Sequence, residues 1–233
     1  YNHKMKIFVT GIAGFLGGHI AENLIKDGHD VSGCDNLIGG YLENVPDDAE
    51  FYQTDAIYLN QMVKMTKDCD LIVHTACTAY EGLSVFSPYF VGNNTYQISL
   101  SVFSAAAKNN IPKVINFSSM ARYGTQEITP FTEDQEPKPQ DPYGIAKIAA
   151  EKTLDVLSDV HGFDYVNLVP HNIIGPRQKY DDPYRNVVSI MINRVLNNQA
   201  PIIYGDGEQQ RCFSDIDDVV NPMMKSIFNN ECS

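Results

Sequence analysis

The chain has 233 residues, 43% of them hydrophobic and 20% charged, with a formal net charge of −12 and a mean hydropathy of −0.23. That length holds one large domain, or one domain and part of another. The acidic balance repels phosphate backbones, which argues against nucleic acid as a partner, and no apolar run reaches the ~18 residues of a membrane-spanning helix.

Residues 1–4 precede Met5 and read as leader residues outside the fold. Lys6–Thr10 is a short apolar strand, followed at once by Gly11, Gly14, Gly17 and Gly18. Apolar positions then recur at Phe15, Ile20, Leu24 and Ile25, which is helical spacing. Asp27-Gly28 ends that helix, and residues 30–34 form the next strand. Further buried strands are expected at Glu50–Gln53, Leu71–His74, 114–117 and 165–169, with helices at 96–109 and Pro142–His161. Strand alternating with helix predicts an α/β fold, a doubly wound parallel sheet covered on both faces. Residues 125–141, rich in Pro, Glu and Asp, form a long loop. After Gly175 come a polar loop to Asn186, a helix at Val187–Leu196, a strand at 201–204, a Gly-Asp-Gly turn and a last helix at 217–228. The expected division is a nucleotide-binding domain at 5–170 and a partial substrate-binding region at 171–233. The second region is too short to fold alone and is interleaved with the first.

The five cysteines, at 34, 69, 77, 212 and 232, have no C-x-x-C spacing, and the chain given carries no secretory leader. They read as reduced thiols of a cytoplasmic protein. Nothing suggests a metal site.

Gly11-x-x-Gly14-x-x-Gly17 lies between a strand and a helix, and that context gives it meaning. The first glycine permits the tight turn, the second lets a pyrophosphate approach the backbone, and the third lets helix and strand pack closely. The helix N-terminus offers free N–H groups and a positive dipole end to the phosphates. Eighteen residues after Gly17, the next strand ends in Asp35, whose carboxylate can accept both ribose hydroxyls and would repel a 2′-phosphate. No Lys or Arg occurs from residue 27 to 63, so NAD is expected rather than NADP. Tyr143 and Lys147 stand four apart, hence on one face of a helix. A phenol titrates near pH ~10, and an ammonium beside it favours the phenolate. Such a pair can move a proton to or from an alcohol. The same spacing also serves as an ordinary surface contact.

Thr10-Gly-Ile-Ala-Gly-Phe-Leu-Gly17, Asp35-Asn-Leu37, Asp55-Ala56, His74-Thr-Ala76, Phe117-Ser-Ser119, Tyr123-Gly124, Tyr143-Gly-Ile-Ala-Lys147, Asn172-Ile-Ile-Gly-Pro-Arg177 and Gly205-Asp-Gly-Glu-Gln-Gln-Arg211 follow in order. Together they resemble the extended short-chain dehydrogenase/reductase family, in particular its NAD-dependent nucleotide-sugar epimerases and dehydratases. The resemblance runs from Met5 to about Val219. It implies a Rossmann fold, a C-terminal substrate part that is small or truncated, NAD as cofactor, a UDP-sugar as substrate and a homodimer built on the helices at 96–109 and 142–161. It also implies roles. Gly11, Gly14, Phe15, Leu16 and Gly17 would hold the pyrophosphate. Asp35, Asn36 and Leu37 would hold the adenosine ribose, and Asp55 and Ala56 would border the adenine. Thr75, Ala76, Cys77, Asn94 and His171 would lie by the nicotinamide half. Ser119, Tyr143 and Lys147 would be catalytic, the last two also touching NAD. Asn172 and Arg211, with Ser119, would meet the substrate.

The reaction is narrowed by two side chains. Dehydratases of this family place Asp and Glu just after the active-site residue, where this chain has Met120 and Ala121, neither able to transfer a proton. Decarboxylases place a Glu at the position of Ala121. A 4-epimerase needs only Ser119, Tyr143 and Lys147, and is the expected activity; a 4-keto reductase of the same family and an idle NAD-binding scaffold are the alternatives. His171 stands where Phe is common and is expected to fill space, and Cys77 is expected to be a small buried hydrophobe. Ser118 is expected to be structural, and Asp217-Asp218 to cap the last helix.

Overall fold

The computed structural model describes residues 4–182, 186–203 and 205–228. Six short segments pair side by side in parallel: β1 (Lys6–Thr10), β2 (Asp30–Asp35), β3 (Glu50–Gln53), β4 (Leu71–His74), β5 (Lys113–Phe117) and β6 (Asp164–Leu168). Their order is β3-β2-β1-β4-β5-β6. The direction of winding therefore reverses between β1 and β4, where doubly wound sheets bind ligands. Alternate residues of each strand feed opposite faces. Ile7, Val9, Leu71, Val73 and Ile115 enter one core, while Phe8, Ile72 and Val114 enter the other. Both faces are buried, which is why these strands read as apolar runs rather than as alternating patterns.

Eight helices accompany the sheet: α1 (Phe15–Lys26), α2 (Leu59–Met65), α3 (Glu81–Ser84), α4 (Pro88–Gly92), α5 (Ile98–Asn109), α6 (Pro142–His161), α7 (Val187–Leu196) and α8 (Ile216–Phe228). Ile20 and Leu24 of α1 share their core with Val220, Met223 and Ile227 of α8. Val102 and Phe103 of α5 and Leu154 of α6 fill the other. Helix α6 is delimited by local signals. Asp141 accepts from Gly144 N at 2.9 Å, Pro142 occupies the first turn, and Gly162 ends the helix at φ 73°. The buried Lys113 donates to Ser226 O at 2.7 Å, placing a cation at the C-terminal end of α8.

Four expectations change. The helix expected at 96–109 starts formally at Ile98, but a π-helical turn, Asn93–Gln97, joins it to α4, so the helical run begins at Pro88. Residues 201–203 form no strand, since no neighbouring segment pairs with them, and Tyr204 lies outside the described residues. The cap of α8 is Asp215, which accepts from Asp217 N at 3.0 Å; Asp217 and Asp218 sit inside the first turn. Lys4, read as lying outside the fold, forms an ion pair with Asp30 at 2.7 Å. A small parallel pair, β7 (Ile173–Ile174) and β8 (Ser214–Asp215), was not visible as periodicity. Cys34, Cys69, Cys77 and Cys212 are free, while Cys232 lies outside the described residues. Among the described residues no helix is long and apolar enough to cross a membrane.

The turn between β1 and α1 closes on itself through Gly11 N to Cys34 O at 2.8 Å and Gly14 N to Gly11 O at 2.9 Å. A Cβ on Gly17 would press into the Gly11 carbonyl, 2.8 Å from its carbon. Gly17→Ala is therefore expected to cost about 1–3 kcal/mol of stability by overpacking, measured by urea unfolding, and to weaken NAD binding measured by fluorescence titration. Unchanged values in both assays would show that the turn accommodates the methyl group.

Candidate functional site

At the C-terminal ends of β1 and β4 lies a cleft of about 530 Å³, a size suited to a small ligand or cofactor. One end is the glycine turn. Gly11 has φ +76°, and a Cβ there would stand 2.9 Å from Ala76 N. The α1 N-terminus begins at Gly14 with no side-chain cap and no acidic residue in its first turn. Phe15, Leu16 and Gly17 line the cleft with Gly11 and Gly14. This bare, positive helix end fits a pyrophosphate.

Asp35 ends β2 on the cleft wall. Its Oδ1 accepts from Leu37 N at 2.7 Å and its Oδ2 from Ala13 N at 3.1 Å. Burial raises its pKa, while the backbone N–H groups of Leu37, Ala13 and Gly14 oppose the rise. A carboxylate with two such bonds retains lone pairs for ribose hydroxyls. Asn36 donates to Asp55 Oδ2 at 2.8 Å, and Ile57 N donates to Asp55 Oδ1 at 2.9 Å, fixing the wall that Asp55 and Ala56 complete. Leu37, in a left-handed conformation at φ 62°, is not among the lining residues; its backbone locks Asp35 instead. These features fit the adenosine end of NAD.

The floor is built by β4. Thr75 donates to Thr10 O at 2.7 Å, and His74 bridges Thr10 Oγ1 at 2.8 Å and Ser99 Oγ at 3.0 Å. Complete burial drives the His74 pKa down to about 3, so the ring is a neutral structural bridge. Thr75, Ala76, Cys77 and Asn94 all face the cleft. Cys77 departs from expectation. It is half-buried on the cleft wall, and its sulfur lies within hydrogen-bonding reach of the Tyr143 phenol.

Ser119, Tyr143 and Lys147 come together at the centre. Tyr143 and Lys147 are each only 4% exposed. The Ser119 hydroxyl stands beside the Tyr143 phenol, near enough to favour its charged form, and accepts from Ala121 N at 3.2 Å, which holds it at the start of the 3₁₀ turn Met120–Arg122. Lys147 Nζ donates to Phe117 O at 2.7 Å and lies 5.8 Å from the centroid of the Tyr143 ring. The expected lowering of the phenol pKa by Lys147 is not what this state shows. Burial pushes Tyr143 well above its ordinary range, the Cys77 thiol adds to the rise, and the Ser119 hydroxyl opposes it. Behind them Ser118 Oγ donates to Glu151, and Arg122 pairs with Glu151 at 3.2 Å. Ser118 is thus structural, as expected. Met120 and Ala121 do not line the cleft.

At the far end, His171, Asn172 and Arg211 line the cleft. His171 Nδ1 lies 3.5 Å from Ser214 Oγ. Asn172 donates to Cys212 O at 3.1 Å, tying β7 to the segment that carries Arg211. One lining acid was missed in the sequence, Glu81 at the start of α3. Its position, four residues beyond Cys77 of the 75–77 run assigned to the nicotinamide half, was the available signal. Among the described residues no cluster of His, Cys, Asp and Glu could hold a metal.

A family model described as the NAD dependent epimerase/dehydratase family matches residues 7–231. A putative UDP-glucose 4-epimerase of Methanocaldococcus jannaschii is 33% identical over 225 residues, covering 95% of this chain and 73% of its own. A UDP-N-acetylglucosamine 4-epimerase of Methanobrevibacter ruminantium, solved with UDP-N-acetylmuramic acid, is 35% identical with a TM-score of 0.91, covering 97% and 74%. A UDP-glucose 4-epimerase of Thermotoga maritima, solved with UDP-glucose, is 32% identical with a TM-score of 0.92, covering 96% and 74%. The chain thus spans about three quarters of the length of these relatives.

Arg122 and Glu151 are 17% and 9% exposed, so the pair is largely desolvated. Arg122→Met leaves the carboxylate unpaired and is expected to cost about 2–4 kcal/mol at neutral pH in urea unfolding. Burial raises the Glu151 pKa above its unfolded value. The variant should therefore regain stability as pH falls below that raised pKa and lose it as pH rises through it. A loss independent of pH would show that packing, not charge, is what Arg122 supplies.

Proposed function

This chain belongs to the NAD dependent epimerase/dehydratase family, whose cofactor is NAD, and on that premise we propose that it is a nucleotide-sugar 4-epimerase acting on a UDP-hexose through a transient 4-keto sugar. The observation that carries the reading is the meeting of Ser119, Tyr143 and Lys147 in one cleft with the glycine turn and Asp35. NAD, held by the glycine turn and Asp35, would supply hydride acceptance and return at C4. The protein's own part is to hold and move a proton. Tyr143 takes it from the C4 hydroxyl as general base and gives it back. Ser119 hydrogen-bonds the same hydroxyl and orients it. Lys147 supplies a cation one helical turn along α6, and positive charge favours the phenolate that burial opposes. Met120 and Ala121 lack a transferable proton, which supports epimerisation over water elimination or decarboxylation.

In this reading residues 5–170 hold NAD, and residues 171–233 contribute the sugar-nucleotide site with Asn172 and Arg211. A homodimer through α5 and α6 fits the exposed Val156 and Val160 on the outer face of α6, 60% and 71% exposed.

Incubation with UDP-galactose and no added NAD(P)H should yield UDP-glucose, followed by NMR, because an epimerase recycles its bound cofactor whereas a reductase stalls. Tyr143→Phe should lower turnover by about 10²–10⁴-fold while NAD remains bound. Full activity in that variant would sink the assignment.

A further inference from the structure

We propose that Glu81 is a specificity-determining residue, which admits neutral sugars to the cleft and repels sugars whose carboxylate lies near the reacting carbon. The proposal rests on the epimerase reading and adds the substrate class to it. Glu81 lines the same cleft as Ser119, Tyr143 and Arg211. It opens α3, directly after the segment from His74 to Tyr80 that leaves the β4 floor. Its carboxylate acts electrically on two groups at once: it pushes the Tyr143 phenol upward, and the Arg211 guanidinium acts on it in turn. In the proposed pose the C4 hydroxyl meets Tyr143, and the diphosphate lies toward Arg211. A carboxylate in the field of both stands alongside the pyranose that joins them.

The charge around Glu81 is unbalanced. Asp141, which caps α6 through Gly144 N at 2.9 Å and accepts from Ser84 Oγ at 3.4 Å, is a second acid close enough to raise the Glu81 pKa. Arg211 opposes them, but a bound diphosphate would claim that guanidinium. Lys147 is occupied at Phe117 O. A C6 carboxylate, one bond beyond the carbon next to C4, would therefore enter a field dominated by acid, whereas a hydroxymethyl group would not. Glu81 is exposed, while partial burial shifts its carboxyl pKa upward. The repulsion is thus screened in part, and an effect of about tenfold is expected rather than exclusion.

The test is calorimetric binding of UDP-glucose, UDP-glucuronate and UDP to the NAD-loaded chain and to Glu81→Gln, which removes the charge and keeps the shape. The native chain should bind UDP-glucose about tenfold more tightly than UDP-glucuronate. Glu81→Gln should narrow that ratio about fivefold or more, with UDP alone moving less than about twofold. An unchanged ratio overturns the role of Glu81 and leaves the epimerase reading standing. A shift in UDP affinity as large as that of the sugars also overturns it, since Glu81 would then act by holding Arg211. A narrowed ratio with no interconversion of UDP-galactose and UDP-glucose sinks the epimerase reading alone. Failure of UDP-glucose to bind the native chain overturns both.

Discussion

The site depends on how closely α6 approaches the turn that follows β5. Tyr143, Lys147 and Glu151 lie four residues apart, so they share one face of that helix. Each is tied to β5 or to its turn. Lys147 donates to Phe117 O, Glu151 receives Ser118 and Arg122, and Tyr143 meets Ser119. The approach is possible because residue 144 is glycine: a Cβ there would lie 2.6 Å from Ala121 O. A side chain at that point would push helix and turn apart. The contact between the two groups proposed to hold the sugar hydroxyl would be the first to lengthen.

That close seating sets burial against chemistry. It removes the Tyr143 phenol from water and raises its pKa, which makes the phenolate harder to form. The same seating holds Ser119 beside the phenol, so that charge developing in the cleft is met by oriented groups. The two effects are compatible only if positive charge arrives with the ligand or sits nearby. Lys147 is the buried cation on that face, and its present bond to Phe117 O keeps it desolvated but satisfied. The phenol and the ammonium are therefore held apart by backbone geometry rather than by lack of attraction.

Much of this was legible in the residues, and the boundary is physical. The strands β1, β4 and β5 read correctly because they are buried on both faces, so burial is written into nearly every position. The glycine turn read correctly because its spacing answers a local steric need. Ser119, Tyr143 and Lys147 were legible as a set by resemblance, yet the balance of fields at Tyr143 was not, because burial is a property of the assembled cleft. The segment at 201–203 has apolar residues but no partner strand, and a strand cannot be read from one side of a ladder. The α8 cap was misplaced by two residues because Asp215, Asp217 and Asp218 look equivalent in sequence, and only the Asp215 carboxylate faces a free N–H. Glu81 and the effect of Cys77 on the phenol escaped for a similar reason: both act on Tyr143, 62 and 66 residues further along the chain.

The link between the two ends of the cleft is the least obvious part of the design. Arg211 lies on a stretch without regular structure, and little nearby would hold it. Its position derives from β7 and β8, two residues each, and from Asn172, whose amide grips Cys212 O. Such a short pair is marginal alone. It persists here because β8 runs directly into α8, whose Ile216, Val220, Met223 and Ile227 are buried in the same core as α1, and whose far end is held by Lys113 from β5. The Arg211 guanidinium is thus braced through α8 against the helix whose N-terminus opens on the cleft. Loosening that core would disturb both ends of the cleft together.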